Sequence, residues 1–367
     1  MPQRAIPVMQ FRGGSSKGLF FKATDLPADE TERHRLILAA MEGGGGGDPR
    51  QIDGLGGATS LTSKVAVVSL SDKPDTDLDY LFLQVVVGAG RVSDGQNCGN
   101  ILAAVLPFAI ESGLFPAGSP TTTARINMVN TGGICEVTVQ TPGGVVEYAS
   151  NPAVGSAKVD GVPGTGAPIL CNYLGIAGST CGALLPTGQI RNRVNGIEVT
   201  CIDNGMPEVI LRAADFGVTG YESPAELEAD ESLKRTLEGI RLAVGPLMNL
   251  GDVTNKTVPK LCLIAPPRAG GMISTRTFIP HRVHEAIGVL GAVSTATACL
   301  LPGSVADGIA VLPKNDDSGY SVEHPTGEFT VRLEQNVQNG MMEIGKSGVI
   351  RTARLLSRGE VLVPLLG

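Results

Sequence analysis

A lysine that opens an apolar strand occurs twice in this chain, and the neighbourhood of each copy recurs with it. Thr62-Ser63-Lys64-Val65-Ala66-Val67-Val68 lies over Val258-Pro259-Lys260-Leu261-Cys262-Leu263-Ile264. The shift that carries Lys64 onto Lys260 also carries Cys98 onto Ser294. Asn97-Cys98-Gly99-Asn100-Ile101-Leu102 then faces Val293-Ser294-Thr295-Ala296-Thr297-Ala298, in each case a small polar residue opening an apolar helix. At a slightly different offset, Met9-Gln10-Phe11-Arg12-Gly13-Gly14-Ser15 and Thr200-Cys201-Ile202-Asp203-Asn204-Gly205-Met206 both read as strand, turn, strand. A chain repeated in this way folds as two similar domains. Its 367 residues agree, because a single hydrophobic core stops growing at about 250–300 residues.

The pattern within each half is mixed α+β. Short β-branched runs recur between clusters of Gly, Pro, Asp and Asn, which marks strands joined by tight turns. Strands are expected at 64–70, 80–87, 122–129, 134–140, 145–148, 196–202, 208–212, 260–265 and 329–333. Helices are expected at 32–41, 98–112, 224–247 and 283–300, where apolar residues fall at helical spacing. The first domain is placed at 1–184 around the helix 98–112, completed by strands returning at 346–367. The second is placed at 185–345 around the helix 283–300. The glycine run 43–47 is a surface loop, since no Gly-Lys-Ser/Thr follows it to make a phosphate cradle.

Composition excludes several classes of function. A formal net charge of −7 with scattered Lys and Arg lacks the footprint of a nucleic-acid binder. With 4% aromatic residues and no Trp, there is little to stack on bases or sugars. No apolar run approaches the roughly 20 residues of a bilayer-spanning helix, so no membrane partner is expected. The 7 cysteines include no Cys-x-x-Cys pair and nothing at the N-terminus reads as a signal peptide, which points to reduced thiols and a cytoplasmic location. A homodimer is compatible with the sequence.

The candidate chemistry lies where the repeat does. Cys98 is placed at a helix N-terminus, where unpaired N–H groups and the helix dipole favour a thiolate or a bound carboxylate. Gly99 allows close approach to the backbone, and Asn97 and Asn100 add amide donors and acceptors. The other cysteines read as small core residues. Lys64 enters an apolar strand, and desolvation there draws a lysine toward the neutral amine that a general base requires. Arg12-Gly13-Gly14-Ser15-Ser16-Lys17-Gly18 lacks the Walker spacing and suits a carboxylate-binding turn or a solvated hairpin tip. His281 and His284 lack a third ligand for a metal, so no metal site is expected; Arg276, His281 and Arg282 are possible substrate contacts.

Together, Arg12-Gly13-Gly14-Ser15-Ser16-Lys17-Gly18, Ser60-Leu61-Thr62-Ser63-Lys64-Val65-Ala66, Asn97-Cys98-Gly99-Asn100 and Gly291-Ala292-Val293-Ser294-Thr295-Ala296 resemble the PrpF family. The resemblance implies a diaminopimelate-epimerase-like fold: two pseudo-symmetric domains, each a β-sheet or barrel wrapped around a central helix, with the active site in the cleft between them. It implies a cofactor-independent isomerase of a small unsaturated tricarboxylate. Methylaconitate, methylitaconate, aconitate and oxalomesaconate are the substrates of its members. Gln51-Ile52-Asp53-Gly54, Cys201 to Pro207 and Asn249 to Val253 point within the family to keto–enol tautomerisation of 4-oxalomesaconate, as in gallate degradation. Allylic or cis–trans isomerisation of an aconitate-like acid, or simple tricarboxylate binding, are the alternatives. The resemblance assigns Lys64 and Cys98 as the acid/base pair. Ser15, Ser16, Asn97, Gly99, Asn100, Asn204, Lys260, Ser294 and Thr295 are assigned to substrate binding. Ser294 stands where diaminopimelate epimerase has a second cysteine, which argues against a two-cysteine racemisation.

Overall fold

The computed structural model describes residues 3–43, 46–95, 97–280, 282–313, 319–338 and 341–364. The chain forms two compact units, one of residues 1–172 with 350–367 and one of residues 173–349. The sequence reading places the divisions at 184/185 and 345/346, whereas these units divide at 172/173 and 349/350. Residues 145–148, expected as a strand, follow the short helical turn Pro142–Gly144 and form none. Two parts of the sequence reading fall outside the described residues: His281 and the middle of the glycine run.

In the first unit, the hairpin of Gln3–Gly13 and Ser16–Lys22 lays its second strand parallel to Lys64–Leu70. Lys64–Leu70 pairs antiparallel with Leu78–Val86, which runs parallel to Thr121–Met128, and that strand closes antiparallel on Gly133–Gln140. The second unit repeats the same alternation. The hairpin Ile197–Asp203 and Pro207–Arg212 is followed by parallel Lys260–Ala265, antiparallel Ile273–Ile279, parallel Tyr320–His324 and antiparallel Gly327–Gln338. Each parallel step is bridged by a helical excursion, as parallel pairing requires. The duplication is therefore one of topology, carried through six strands in each unit.

Strand alternation divides each sheet into two working faces. In the first unit Leu19, Phe21, Val65, Val67 and Leu83 meet Leu36, Ile37, Ala40 and Met41 of the helix Glu30–Glu42. That helix starts because the Asp29 carboxylate accepts from the Glu32 N–H at 2.8 Å. The opposite face presents Phe11 and Phe20, which pack with Phe108 of the central helix as a ring cluster with centroids 5.1 to 6.3 Å apart. Each such side chain contributes roughly 1.5–3 kcal/mol by its burial.

In the second unit Val199, Val209, Leu211, Leu261 and Leu263 meet Leu233, Leu237, Ile240 and Val244 of the helix Glu231–Leu247. The expected single helix 224–247 is two, Pro224–Ala229 and Glu231–Leu247, because the Asp230 carboxylate leaves the first and caps the second through Ser232 and Leu233 N–H. The other face of this sheet carries Glu208, Lys260 and Cys262 toward a central helix, Val289–Leu300, that is buried from Gly291 onward.

The central helices differ from the sequence reading. The first is broken at Ala103-Ala104 into Gly99–Leu102 and Val105–Glu111, with Cys98 as its N-cap. The second begins at Val289, not 283; Arg282 and Val283 are a short strand paired with Ile279 and Phe278. Ser294 consequently lies inside the helix and Gly288 caps it.

The first hairpin's turn rests directly on its central helix. A Cβ on Gly13 would stand 2.3 Å from the Asn100 carbonyl oxygen, a backbone atom that cannot swing aside. Gly13→Ala is expected to cost about 1–3 kcal/mol, the usual size of an overpacking strain, read as a lower urea midpoint. An unchanged midpoint would contradict this close approach.

Candidate functional site

Lys64 is only 7% exposed, so its charge must be met inside the first unit. Its Nζ donates to Gln84 Oε1 at 2.9 Å and stands 5.1 Å from the Phe82 ring centroid, a cation–π distance. Gln84 is oriented by its own amide: Nε2 donates to the carbonyls of Ser63 at 2.9 Å, Val85 at 3.1 Å and Ser60 at 3.3 Å. With three acceptors around the nitrogen, only the amide oxygen can face the lysine. Among the described residues, no carboxylate forms an ion pair with Lys64.

Cys98 holds its place through its backbone. Its carbonyl accepts from Leu102 N–H at 2.9 Å and from Tyr80 Oη at 3.2 Å, while its half-buried thiol makes no capping bond. Tyr80 and Phe82 are alternate residues of one strand, with rings 6.5 Å apart, so the strand that supports Lys64 also supports the start of the helix. Asn100 Nδ2 donates to Ser15 Oγ at 3.2 Å, and Asn97 Nδ2 donates to Thr131 Oγ1. Asn97 Oδ1 and Ser16 Oγ are buried without a partner among the described residues. The Arg12 guanidinium donates through Nη1 to the carbonyls of Gly14 and Thr352, so it holds the turn.

The second unit builds a different set around its lysine. Glu208, fully buried, is the register partner of Lys260 on the adjacent parallel strand. Its Oε2 accepts from Thr295 Oγ1 at 2.9 Å, while Oε1 has no partner among the described residues and faces Gly291, where a Cβ would stand 2.6 Å away. Burial pushes the Glu208 carboxyl up to about 8, against the opposing pull of Thr295 and Lys260. Burial lowers Lys260, with Glu208 acting the other way. Cys262 lies 3.6 Å from Thr295 Oγ1 and is raised by burial and by Glu208. His284 is lowered by burial and then by Lys260; its Nδ1 accepts from Ala286 N–H at 2.9 Å, which leaves the proton of the neutral ring on Nε2.

Of the residues expected in the first unit, Ser15 and Asn100 are joined directly at the turn and the helix start, next to Asn97, Cys98 and Gly99, while Lys64 is linked to that helix start through the strand carrying Tyr80, Phe82 and Gln84. In the second unit Lys260 and Thr295 stand together at Glu208. Ser294 does not have the free hydroxyl expected of it: Oγ accepts from Asn204 N–H at 3.1 Å and donates to the Met206 carbonyl at 2.8 Å. Asn204 likewise spends its Nδ2 on Thr297 and Ser347. These two residues tie the hairpin turn to the helix. Arg276 is engaged with the carbonyls of Glu222 and Thr275. The residues missed from sequence are Gln84, Tyr80, Phe82 and Glu208; the last had a legible signal, a carboxylate opening an apolar strand.

The family model described as PrpF protein matches residues 3–364. A 4-oxalomesaconate tautomerase of Pseudomonas putida is 54% identical over 363 residues, covering 99% of this chain and 97% of that one. A (4E)-oxalomesaconate Delta-isomerase of Novosphingobium sp. is 55% identical over 368 residues, covering 99% of this chain and all of that one. The solved structure of a methylitaconate-delta-isomerase superposes with a TM-score of 0.86 at 31% identity, covering 99% of this chain and 96% of that one.

Proposed function

Because the chain belongs to the PrpF family, we propose that it is an isomerase interconverting the keto and enol forms of 4-oxalomesaconate, with Lys64 and Cys98 moving the proton. The observation that carries the chemistry is a buried lysine held by a fixed amide oxygen and an aromatic face, with no carboxylate paired to it among the described residues.

The carbon between the keto group and the double bond of 4-oxalomesaconate carries the labile proton. In its neutral form, the Lys64 amine removes that proton, and the electron pair spreads over the keto oxygen and the conjugated double bond. The Cys98 thiol donates a proton to the oxygen, giving the enol; in the reverse direction the roles exchange. Gln84 and Phe82 orient the amine, and Tyr80 fixes the helix start that carries the thiol. The unpaired N–H groups of Gly99, Asn100 and Ile101, together with Ser15, Ser16 and Asn97, are suited to substrate carboxylates. Lys260 and Thr295 are the anion-holding residues of the second unit. A fixed donor facing developing negative charge is worth a few kcal/mol in comparable sites.

The same intermediate has a second outlet. Protonation at the far carbon shifts the double bond instead, and the name of the Novosphingobium relative favours that reading. Incubation of the protein with 4-oxalomesaconate in D₂O, followed by proton NMR and ultraviolet absorbance, separates the two. Deuterium confined to the carbon beside the keto group, with keto and enol forms equilibrating, is the expected result. Deuterium at the far carbon with a shifted double bond would assign the allylic reaction. Inertness toward this acid with turnover of methylaconitate would overturn the substrate and keep the proton transfer.

A further inference from the structure

The second unit holds a fully buried carboxyl group that the proton transfer does not use. Glu208 and Lys260 are register partners on adjacent strands and share the face toward the central helix, yet no ion pair joins them. Among the described residues, Lys260 has no hydrogen-bond partner for its half-buried ammonium. The groups facing Glu208 are few: Thr295 on the helix, and Lys260 and Cys262 on the adjacent strand, with His284 beyond Lys260. One carboxyl oxygen is bonded to Thr295, and the other is buried against Gly291 with no partner among the described residues. An ionised carboxylate is ill served there, whereas a protonated one loses little.

We infer that Glu208 is a positioning residue that sets the charge Lys260 offers to a substrate carboxylate: while protonated it leaves the ammonium uncompensated, and once ionised it neutralises that ammonium and weakens the substrate's hold. This deepens the proposed function, resting on its reading of Lys260 as a residue that holds a substrate carboxylate. The step is a simple proton loss to solvent, with no bond made to substrate. The buried carboxyl's rise to about 8 places the transition within an accessible pH range. If only the protonated form binds, the apparent dissociation constant scales inversely with that fraction. It therefore rises about tenfold from pH 7 to pH 9, where the carboxylates of the ligand itself no longer titrate.

The test is calorimetric binding of propane-1,2,3-tricarboxylate, an unreactive tricarboxylate, to the full chain from pH 7 to 9. The parent, Glu208→Gln and Lys260→Met are compared, with KM and kcat for 4-oxalomesaconate measured alongside. The parent is expected to lose about tenfold in affinity, Glu208→Gln to keep its pH 7 affinity throughout, and Lys260→Met to bind weakly with no slope. KM should follow the same pattern, with kcat showing no Glu208-dependent slope. A Glu208→Gln profile parallel to the parent's, or parental affinity and slope in Lys260→Met, would overturn the inference. Because the probe does not react, these outcomes are readable even if 4-oxalomesaconate proves not to be the substrate.

Discussion

Replacing Lys64 with alanine is expected to lower kcat on 4-oxalomesaconate by roughly 10²–10⁴-fold, the usual contribution of a positioned general base. KM should change little, because the amine acts on a carbon-bound proton and not on the carboxylates that anchor the substrate. Lys64→Arg should not restore turnover, since a guanidinium keeps its proton and cannot act as a base. Deuterium exchange into the substrate should vanish in parallel. Loss of the lysine leaves Gln84 Oε1 without its donor, so a urea titration is needed to show that the variant is folded. Cys98→Ala provides the companion measurement: the helix start is held by the Cys98 carbonyl, which the substitution keeps, so any lost activity reports the thiol. Full turnover by folded Lys64→Ala would sink the assignment.

Glu208→Gln is expected to make the protein more stable than its parent in alkaline solution, by on the order of 5 kcal/mol at pH 9. Burial raises this carboxyl from 4.5 in the open chain to about 8 in the folded protein. Between those limits the unfolded chain has released a proton that the folded protein still holds. Stability therefore falls as pH rises, and the loss is complete above the folded value. Glutamine has no proton to lose and can still accept from Thr295. Denaturant midpoints should nearly coincide at pH 5 and separate steadily toward pH 9. A gap that does not depend on pH, or a parent that stays ahead at pH 9, would show that Glu208 is not buried as a neutral acid.

The repeat was legible because each copy begins with a residue that is costly to place. Lys64 and Lys260 both open apolar strands, and both strands run parallel to the second strand of a hairpin. Cys98 was also legible, as the polar residue before an apolar run, and it is the helix N-cap. Ser294 misled because the shift between the lysines was extended to the helices. The path from Lys260 to the Gly288 cap is shorter than that from Lys64 to Cys98, so a constant shift lands inside the second helix. Helix ends suffered for a related reason: apolar periodicity runs through Asp230 and through Arg282-Val283, whereas a capping carboxylate and a strand pairing decide where the chain actually turns. Glu208 carried a visible signal but could not be assigned to a site, because its importance depends on which face of the strand it takes. A sequence shows that a carboxylate opens a strand, but not that Gly291 leaves room for it under a helix.

The strand Ala353–Pro364 pairs with Gln3–Gly13 from Gly13↔Ala353 to Gln3↔Pro364. The edge of the first unit's sheet is thus supplied by residues that leave the ribosome after the whole second unit. During synthesis the second unit can close while the first still exposes an unpaired strand, an edge of the kind that recruits other chains. The half of the protein bearing Lys64 and Cys98 is begun first and finished last, so a stalled or clipped nascent chain would carry both residues and lack the strand that completes their scaffold.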